Sequence, residues 1–185
     1  YMEDIGITAP EIVSLEIFDY LIPDYEKRRA ETAGSISFPG AVIIAGALRA
    51  HKAGYAYSLP EAVHFNLYGI DYEGVQNTYI RYFGAFPPDD LPFAVEGSFG
   101  LVWDGSESST CTGTYGEYLR INNPHKTSLY LAAGIPVIIW KEAALADFIT
   151  KNGCGITVNS LYEIKEALEK LTGESYEVMK SNAEK

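Results

Sequence analysis

Two apolar segments, AVIIAG at residues 41–46 and PVIIW at residues 136–140, constrain the fold of this chain more than any other feature. Neighbouring side chains of a strand point to opposite faces of a sheet, so a strand that is apolar at every position has both faces covered. Strands of this kind are typical of parallel sheets with helices packed on both sides. A chain of 185 residues suffices for one such domain with a sizeable core.

The rest of the chain contains five more candidate strands and three helical patterns. The candidate strands lie at residues 11–18, 63–69, 78–84, 99–103 and 155–158. We predict that Asn123 caps one helix and that Gly134 ends it, that Gly153 ends the next, and that Ser160 and Glu163 form a capping box for the third. Strands and helices that alternate with short connections predict an α/β fold, with a Rossmann-like parallel sheet and helices on both faces.

The start of the chain differs from the remainder. Residues 11–20 indicate a strand, and residues 23–35 indicate a charged connector. We therefore predict a remnant of an N-terminal domain and its linker at 1–34, and a second domain at 35–185. The first residue is Tyr1 rather than methionine, so we expect the chain to be a fragment of a longer protein.

Charge and cysteine content restrict the functional classes. The net charge of -11 disfavours sequence-independent binding of nucleic acid, which requires Lys and Arg to neutralise phosphates. Cys111 and Cys154 lack the spacing of a metal site, and the composition favours a reduced, cytoplasmic setting. We find no transmembrane segment and no signal-peptide pattern in the sequence.

Cationic residues follow the predicted strands at the edge where ligands bind in parallel sheets. Arg49 comes shortly after the strand at 41–46, and a loop of nearly twenty residues without helical periodicity leads from Asp104 to Asn123. A helix that begins at Asn123 exposes free N–H groups at its first turn. Lys126 in that turn lies near the positive end of the helix dipole, which is unfavourable unless an anion is bound there. These features predict a phosphate site. The alternative is that Lys126 is solvated and that Arg49 pairs with a carboxylate.

Other ligand classes have weaker support. The sequence has neither the G-x-G-x-x-G spacing of dinucleotide-binding domains nor a Walker A sequence. The three histidines lack ligand spacing, and Asp89-Asp90 is typical of a turn, so we expect no metal. His125 has either a binding role beside Lys126 or a surface role. Tyr82 and Phe86 are either core residues or candidates for stacking on a base.

Three segments resemble the C-terminal half of bacterial glycosyltransferases with the GT-B fold. They are FGLVWDG at 99–105, YGEYLRINNPHKTSLYLAAGIPVIIW at 115–140 and AALADFITKNGCGITVNSL at 143–161. The chain is similar to galactofuranosyltransferases of surface-polysaccharide synthesis and to glucosyltransferases that glycosylate adhesins. The resemblance extends from about Phe18 to Met179.

The resemblance implies that residues 35–185 form the lobe that binds a nucleotide sugar, usually a UDP-sugar. Lys126 and Arg49 would hold the diphosphate, the backbone at 123–127 would cap it, and Tyr82 would line the nucleoside pocket. Together with the helix-end chemistry, this gives the candidate residues Arg49, Tyr82, Asn122, Asn123, His125, Lys126 and Thr127. The chain departs from the family at Gly46-Ala47-Leu48, where Gly-Asn-Leu is common.

The implied activity is transfer of a hexose from a UDP-sugar to a carbohydrate or glycoprotein acceptor without a metal cofactor. The catalytic residues are unknown and would lie in the other lobe, so we expect this chain alone to bind the donor nucleotide weakly and without turnover. Relatives tend to self-associate, which suggests a homo-oligomer. The alternatives are a non-catalytic nucleotide-binding or assembly module with the same fold, a sugar-nucleotide epimerase, and a pure interaction domain.

Overall fold

One six-stranded parallel sheet organises the protein in a computed structural model that describes residues 15–32 and 38–185. The strands are β1 Val42–Ala47, β2 Phe65–Ile70, β3 Ile80–Tyr82, β4 Phe99–Val102, β5 Val137–Trp140 and β6 Gly155–Val158. Their order across the sheet is β3-β2-β1-β4-β5-β6, and every neighbouring pair is parallel. The predicted α/β fold with a Rossmann-like sheet is confirmed.

Eight helices connect or flank these strands in the described part of the chain. They are α1 Tyr25–Thr32, α2 Ala50–Ala53, α3 Leu91–Ala94, α4 Gly113–Tyr118, α5 His125–Ala132, α6 Ala146–Asn152, α7 Ile164–Glu169 and α8 Gly173–Ala183. Short 3-10 turns at Gly54–Tyr57 and Leu161–Glu163 follow α2 and precede α7. No helix among the described residues combines the length and the apolar character needed to cross a membrane.

The central strands are buried on both faces, as their apolar sequences predict. Every residue of β4 and β5 is buried, and so are the first four residues of β1. The chain order reverses between β1 and β4, because β2 and β3 extend the sheet on one side of β1 while β4 and later strands extend it on the other. In folds of this type, the crevice at that reversal is the usual ligand site.

Tyr130 of α5 occupies the gap between β1 and β4. These strands pair only at Val42 with Phe99 and at Ile43 with Gly100. Beyond that point, the Ala45 N–H donates to the Tyr130 hydroxyl at 2.9 Å. That hydroxyl lies 3.3 Å from the carbonyl oxygens of Ile43 and Leu101. Tyr130 therefore replaces ladder hydrogen bonds, and the strands separate towards their carboxyl ends.

Helix α1 fixes the other end of α5. The Tyr25 hydroxyl donates to the carbonyl of Ala132, and Arg29 donates to the carbonyl of Ala133 at 2.6 Å. A cation at the end of a helix satisfies free carbonyls and complements the helix dipole. The prediction of a charged connector at 23–35 was therefore wrong in part, because Tyr25 and Arg29, four residues apart, lie on one helical face and bind α5.

Three other local predictions were wrong. Residues 15–18 form no strand, since no neighbouring strand in the described region pairs with them, and the rest of that predicted strand lies outside the described residues. The loop after Asp104 contains helix α4. Pro124, and not Asn123, occupies the N-cap position of α5, and there is no side-chain cap. The Asn123 side chain donates from Nδ2 to the carbonyl of Glu16, and its oxygen has no partner among the described residues.

The predicted helix ends are confirmed at two glycines. Gly134 follows α5 with a φ of +67°, and Gly153 follows α6 with a φ of +60°, a conformation that glycine adopts at little cost. The Ser160 hydroxyl accepts from the N–H of Tyr162, whereas Glu163 accepts from the N–H of Asn159. Ser160 therefore caps this turn, but neither of the two reciprocal bonds between Ser160 and Glu163 that define the predicted capping box is formed. The domain boundary predicted at residue 34 lies outside the described residues.

The contact between Gly100 and Tyr130 gives a stability prediction. A Cβ added at Gly100 would overlap the ring of Tyr130, which is fully buried and cannot move aside. We expect Gly100→Ala to reduce the free energy of unfolding by about 2 kcal/mol or more, the cost of overpacking a core, as measured by urea denaturation.

Gly173→Ala is the matched control for that substitution. Nothing lies within 4 Å of a Cβ added at Gly173, the first residue of α8. We expect this variant to be as stable as the parent chain, or more stable by up to about 1 kcal/mol, because alanine favours a helix over glycine. Equal stability of the two variants would contradict the proposed packing of Tyr130 on β4.

Candidate functional site

The loops that follow β1 and β4 are bonded to each other at the carboxyl edge of the sheet. The N–H of Gly105 donates to the carbonyl of Lys52 at 3.1 Å, and the N–H of Tyr55 donates to the carbonyl of Gly105 at 3.3 Å. These bonds bring the segment after Arg49 next to the segment after Asp104. The crevice is therefore built from both loops and from the beginning of α5.

Lys126 extends from the first turn of α5 to the end of β4. Its ammonium donates to the carbonyl of Trp103 at 2.8 Å and to Oδ1 of Asp104 at 2.9 Å. The side chains of Lys126 and Asp104 are only 15% and 11% exposed. The alternative that Lys126 is a solvated helix residue is therefore wrong. An ammonium carries three N–H bonds, and this one uses two, so one donor is left for another acceptor.

The beginning of α5 contains polar groups without partners among the described residues. The N–H groups of His125 and Lys126 have no acceptor there, whereas the N–H of Thr127 donates to the carbonyl of Pro124 at 2.9 Å. The side-chain oxygens of Asn123 and Thr127 are buried and also lack hydrogen-bond partners in this region. A buried polar atom without a partner costs about 1–3 kcal/mol. These atoms favour a bound polar group at this end of the helix.

His125 and Asn122 complete the segment that the sequence singled out. The imidazole of His125 is exposed and stacks on Phe18, with ring centroids 5.0 Å apart. Asn122 is half-buried, and its N–H donates to the carbonyl of Tyr118. Residues 122–127 therefore lie together beside the crevice, but His125 contacts the segment preceding α1 instead of the end of a strand.

Arg49 is held by a carboxylate at the end of the neighbouring strand. Its Nε donates to Oδ2 of Asp71 at 2.7 Å, and the two side chains are 57% and 39% exposed. The alternative in which Arg49 pairs with a carboxylate is thus what the structure shows. Only Nε takes part in this bond, so the terminal nitrogens of the guanidinium remain available for a bidentate contact with an anion.

Tyr82 ends β3 at the same edge of the sheet, two strands away from β1. Its hydroxyl donates to the carbonyl of Gly69 at 2.8 Å, and its ring packs 5.2 Å from that of Tyr72. Tyr72 in turn packs 5.2 Å from Tyr57, so three tyrosines cover the ends of β2 and β3. Phe86, the other aromatic candidate for stacking on a base, is exposed and packs against Tyr68.

Two carboxylates of the site were not predicted. Asp104 lies two residues after β4, and Asp71 directly follows β2. For Asp104, the available signal was an acidic residue just after a strand that is apolar at every position, because that position faces the ligand edge of the sheet. Asp71 follows a strand that contains Asn66, so the sequence carried no such signal for it. Among the described residues, no three His, Cys, Asp or Glu side chains are grouped as metal ligands would be.

A cavity lies elsewhere among the described residues. It has a volume of about 300 Å³ and lies between α5, the segment preceding α1 and the last residues of the chain. Its lining includes Tyr25, Ser128, Leu131 and Ala132. None of the seven candidate nucleotide residues lines it.

Cys111 is buried beside Asp104. Burial raises the pKa of its thiol to about 12, and a hydrogen bond to the backbone of Asp104 reduces this effect only in part. A thiol with such a pKa stays protonated at neutral pH and is a poor nucleophile. We therefore assign Cys111 a packing role next to the crevice.

Comparisons with known proteins identify relatives over nearly the whole chain. Residues 42–185 match the family model described as glucosyltransferase 3-like, C-terminal domain. The chain is 40% identical over 177 residues to beta-1,6-galactofuranosyltransferase WbbI of Escherichia coli strain K12. This alignment covers 95% of this chain and 52% of that protein. It is 30% identical over 175 residues to glucosyltransferase 3 of Streptococcus gordonii, with 94% and 49% covered. The chain spans about half the length of these relatives.

A solved structure supports the fold. AviGT4, a glycosyltransferase involved in avilamycin A biosynthesis, superimposes with a TM-score of 0.51 at 15% sequence identity. The superposition covers 80% of this chain and 46% of AviGT4. At this level of identity, the likeness shows a shared architecture and no more.

The raised pKa of Cys111 predicts a loss of stability in alkali. The thiol has a pKa of 9.0 when unperturbed and about 12 in the fold, so its contribution is complete below pH 9 and is lost as the pH rises towards 12. We expect the parent chain to lose up to about 1.4 kcal/mol per pH unit more than Cys111→Ser between pH 9 and 11, in urea denaturation. Identical slopes would show that the thiol ionises freely in the folded protein.

Proposed function

The chain belongs to the family of glucosyltransferase 3-like C-terminal domains, and we propose that it is the donor-nucleotide-binding lobe of a glycosyltransferase. The reaction would move a hexose, galactofuranose or glucose, from a UDP-sugar to a carbohydrate or glycoprotein acceptor. The names of the two relatives support the class of reaction and the two candidate sugars.

The position of Lys126 carries this proposal. Its ammonium lies at the crevice where the strand order reverses, beside the free N–H groups at the beginning of α5. A lysine and a helix N-terminus together form a phosphate site, because both present hydrogen-bond donors and positive charge to one point. The remaining donor of Lys126 and the N–H groups of His125 and Lys126 would bind the diphosphate.

The chemistry of transfer explains why such a site aids the reaction. The bond between the anomeric carbon and the diphosphate breaks, so negative charge grows on the leaving oxygen. Lys126 and the helix end would stabilise that charge more in the transition state than in the ground state. Since these groups supply the positive charge themselves, we propose that the reaction needs no metal cofactor.

The nucleoside would lie along the strand ends between Lys126 and Tyr82. Paired strands in a sheet are about 4.8 Å apart, and Tyr130 separates β4 from β1 by more than that, so the ends of β4 and β2 lie at least about 10 Å apart. The tyrosines over β2 and β3 offer aromatic faces for the base at that distance. Arg49 follows β1, between the two ends, and would contact the diphosphate with its terminal nitrogens.

The remaining functions would reside outside this lobe. We propose that a second lobe binds the acceptor, carries the catalytic base and excludes water on closure, as in two-lobed transferases. We further propose a cytoplasmic enzyme that contributes to polysaccharide or glycoprotein synthesis and forms homo-oligomers. The net charge of -11 agrees with a partner other than nucleic acid.

Replacing Lys126 tests the nucleotide site. We expect Lys126→Ala to weaken UDP binding to this chain by about 1.5–3 kcal/mol, the range for a hydrogen bond to a charged group, as measured by calorimetry. Circular dichroism should confirm that the variant is folded.

Lys170→Ala is the control. This substitution also removes one positive charge, but Lys170 is exposed and pairs with Glu166 of α7. The affinity for UDP should therefore stay at the parent value. If Lys126→Ala binds UDP as tightly as Lys170→Ala does, the diphosphate does not bind at α5.

A further inference from the structure

Both cations of the candidate site are paired with a carboxylate that follows a strand. Lys126 pairs with Asp104 after β4, and Arg49 pairs with Asp71 after β2. A carboxylate beside a cation weakens the attraction of that cation for an anion, so neither carboxylate is needed for anion binding alone. The carboxylates therefore require an explanation of their own.

The two pairs differ in their exposure to solvent. The Lys126–Asp104 pair is 15% and 11% exposed, whereas the Arg49–Asp71 pair is 57% and 39% exposed. Water and salt screen charges at exposed sites, but they screen buried pairs much less. Asp104 therefore affects the charge of the crevice far more than Asp71 does.

We propose that Asp104 is the counter-ion that sets the affinity of this site for a diphosphate, and this inference rests on the proposed function. Without nucleotide, Asp104 neutralises Lys126 and holds it in the crevice. A phosphate oxygen on the remaining donor of the same ammonium would lie about 5 Å from the Asp104 oxygen, given two hydrogen bonds of about 2.9 Å at a tetrahedral angle. The carboxylate thus repels the ligand that Lys126 attracts.

This arrangement suits an enzyme that must release its product. A nucleoside diphosphate keeps its phosphates after the sugar has left, so an unopposed lysine would retain the product. Asp104 lowers the affinity for donor and product alike and keeps Lys126 in place between turnovers. It is a positioning residue, since it acts on the ligand through Lys126 and through its charge.

Asp104→Asn tests the proposal by calorimetry with UDP on this chain. Asparagine keeps an oxygen that accepts from Lys126 but removes the negative charge. We expect UDP to bind about tenfold more tightly, equal to about 1.4 kcal/mol, because a unit charge a few ångströms away is removed from a partly buried site. Asp71→Asn should tighten binding by no more than about twofold, because its pair is exposed.

Two further variants serve as controls. Glu184→Gln removes a carboxylate from a pair with Arg29 at the opposite end of α5, and it should leave UDP affinity unchanged. Asp104→Glu keeps the charge, and its affinity should stay within about twofold of the parent value. Thermal unfolding of each variant shows whether the fold is retained.

A double variant keeps the test valid if Asp104→Asn fails to fold with an unpaired buried lysine. In Lys126→Ala, the carboxylate of Asp104 remains and repels UDP without compensation. Lys126→Ala with Asp104→Asn should therefore bind UDP several-fold more tightly than Lys126→Ala alone. Equal or weaker binding by the double variant would overturn the role of Asp104.

The results separate this inference from the proposed function. If Lys126→Ala weakens UDP binding while Asp104→Asn leaves it unchanged or weakens it, Asp104 merely supports Lys126, and the inference is wrong while the nucleotide site stands. If the parent chain binds no UDP, both are wrong. Tighter binding by Asp104→Asn than by Glu184→Gln supports both.

Discussion

The insertion of the Tyr130 hydroxyl between β1 and β4 is the interaction on which the site depends. That hydroxyl accepts from the N–H of Ala45 and bridges to strand carbonyls, so it satisfies backbone groups that the separating strands leave without partners. Burial raises the pKa of Tyr130 well above its usual range, which keeps the phenol protonated as a donor. Gly100 has no side chain, and the ring needs that space. The crevice opens because Tyr130 packs stably between the two strands.

The packing of Tyr130 also determines where the Lys126 side chain lies. Lys126 and Tyr130 are four residues apart, so they lie on one face of α5 and both reach β4. Tyr130 contacts the strand at Leu101, and Lys126 contacts its end at Trp103. Contacts of α1 hold the opposite end of the helix. The beginning of α5 is thus fixed beside the strand ends, where we propose that this chain of net charge -11 binds the diphosphate.

The sequence predicted the layered fold well because its signals are local. An apolar run such as PVIIW specifies a strand buried on both faces, and glycines such as Gly134 mark where a helix ends. The structure also brings residues 122–127, Arg49 and Tyr82 to one edge of the sheet, as the order of parallel strands requires. Their contact with a nucleotide stays a prediction.

The contacts that were missed depend on residues far apart in the chain. Asp104 is 22 residues from Lys126, and Tyr130 is 85 residues from Ala45, so no spacing pattern reveals either pair. The charged sequence of α1 predicts a connector, because nothing local shows that Tyr25 and Arg29 contact the distant end of α5. Asn123 is a residue type that often caps helices, but α5 begins one residue later than predicted, with Pro124 at the N-cap, and the Asn123 side chain donates to the distant Glu16.

A crystal structure of this chain at saturating UDP concentration tests the central claim most directly, since it locates the ligand without reference to any variant. We predict that a phosphate oxygen lies within hydrogen-bonding distance of the Lys126 ammonium and of the N–H of His125, with the base near Tyr82. A crevice that stays empty, or a nucleotide bound at any other surface, would contradict the assignment of this edge of the sheet as the donor site.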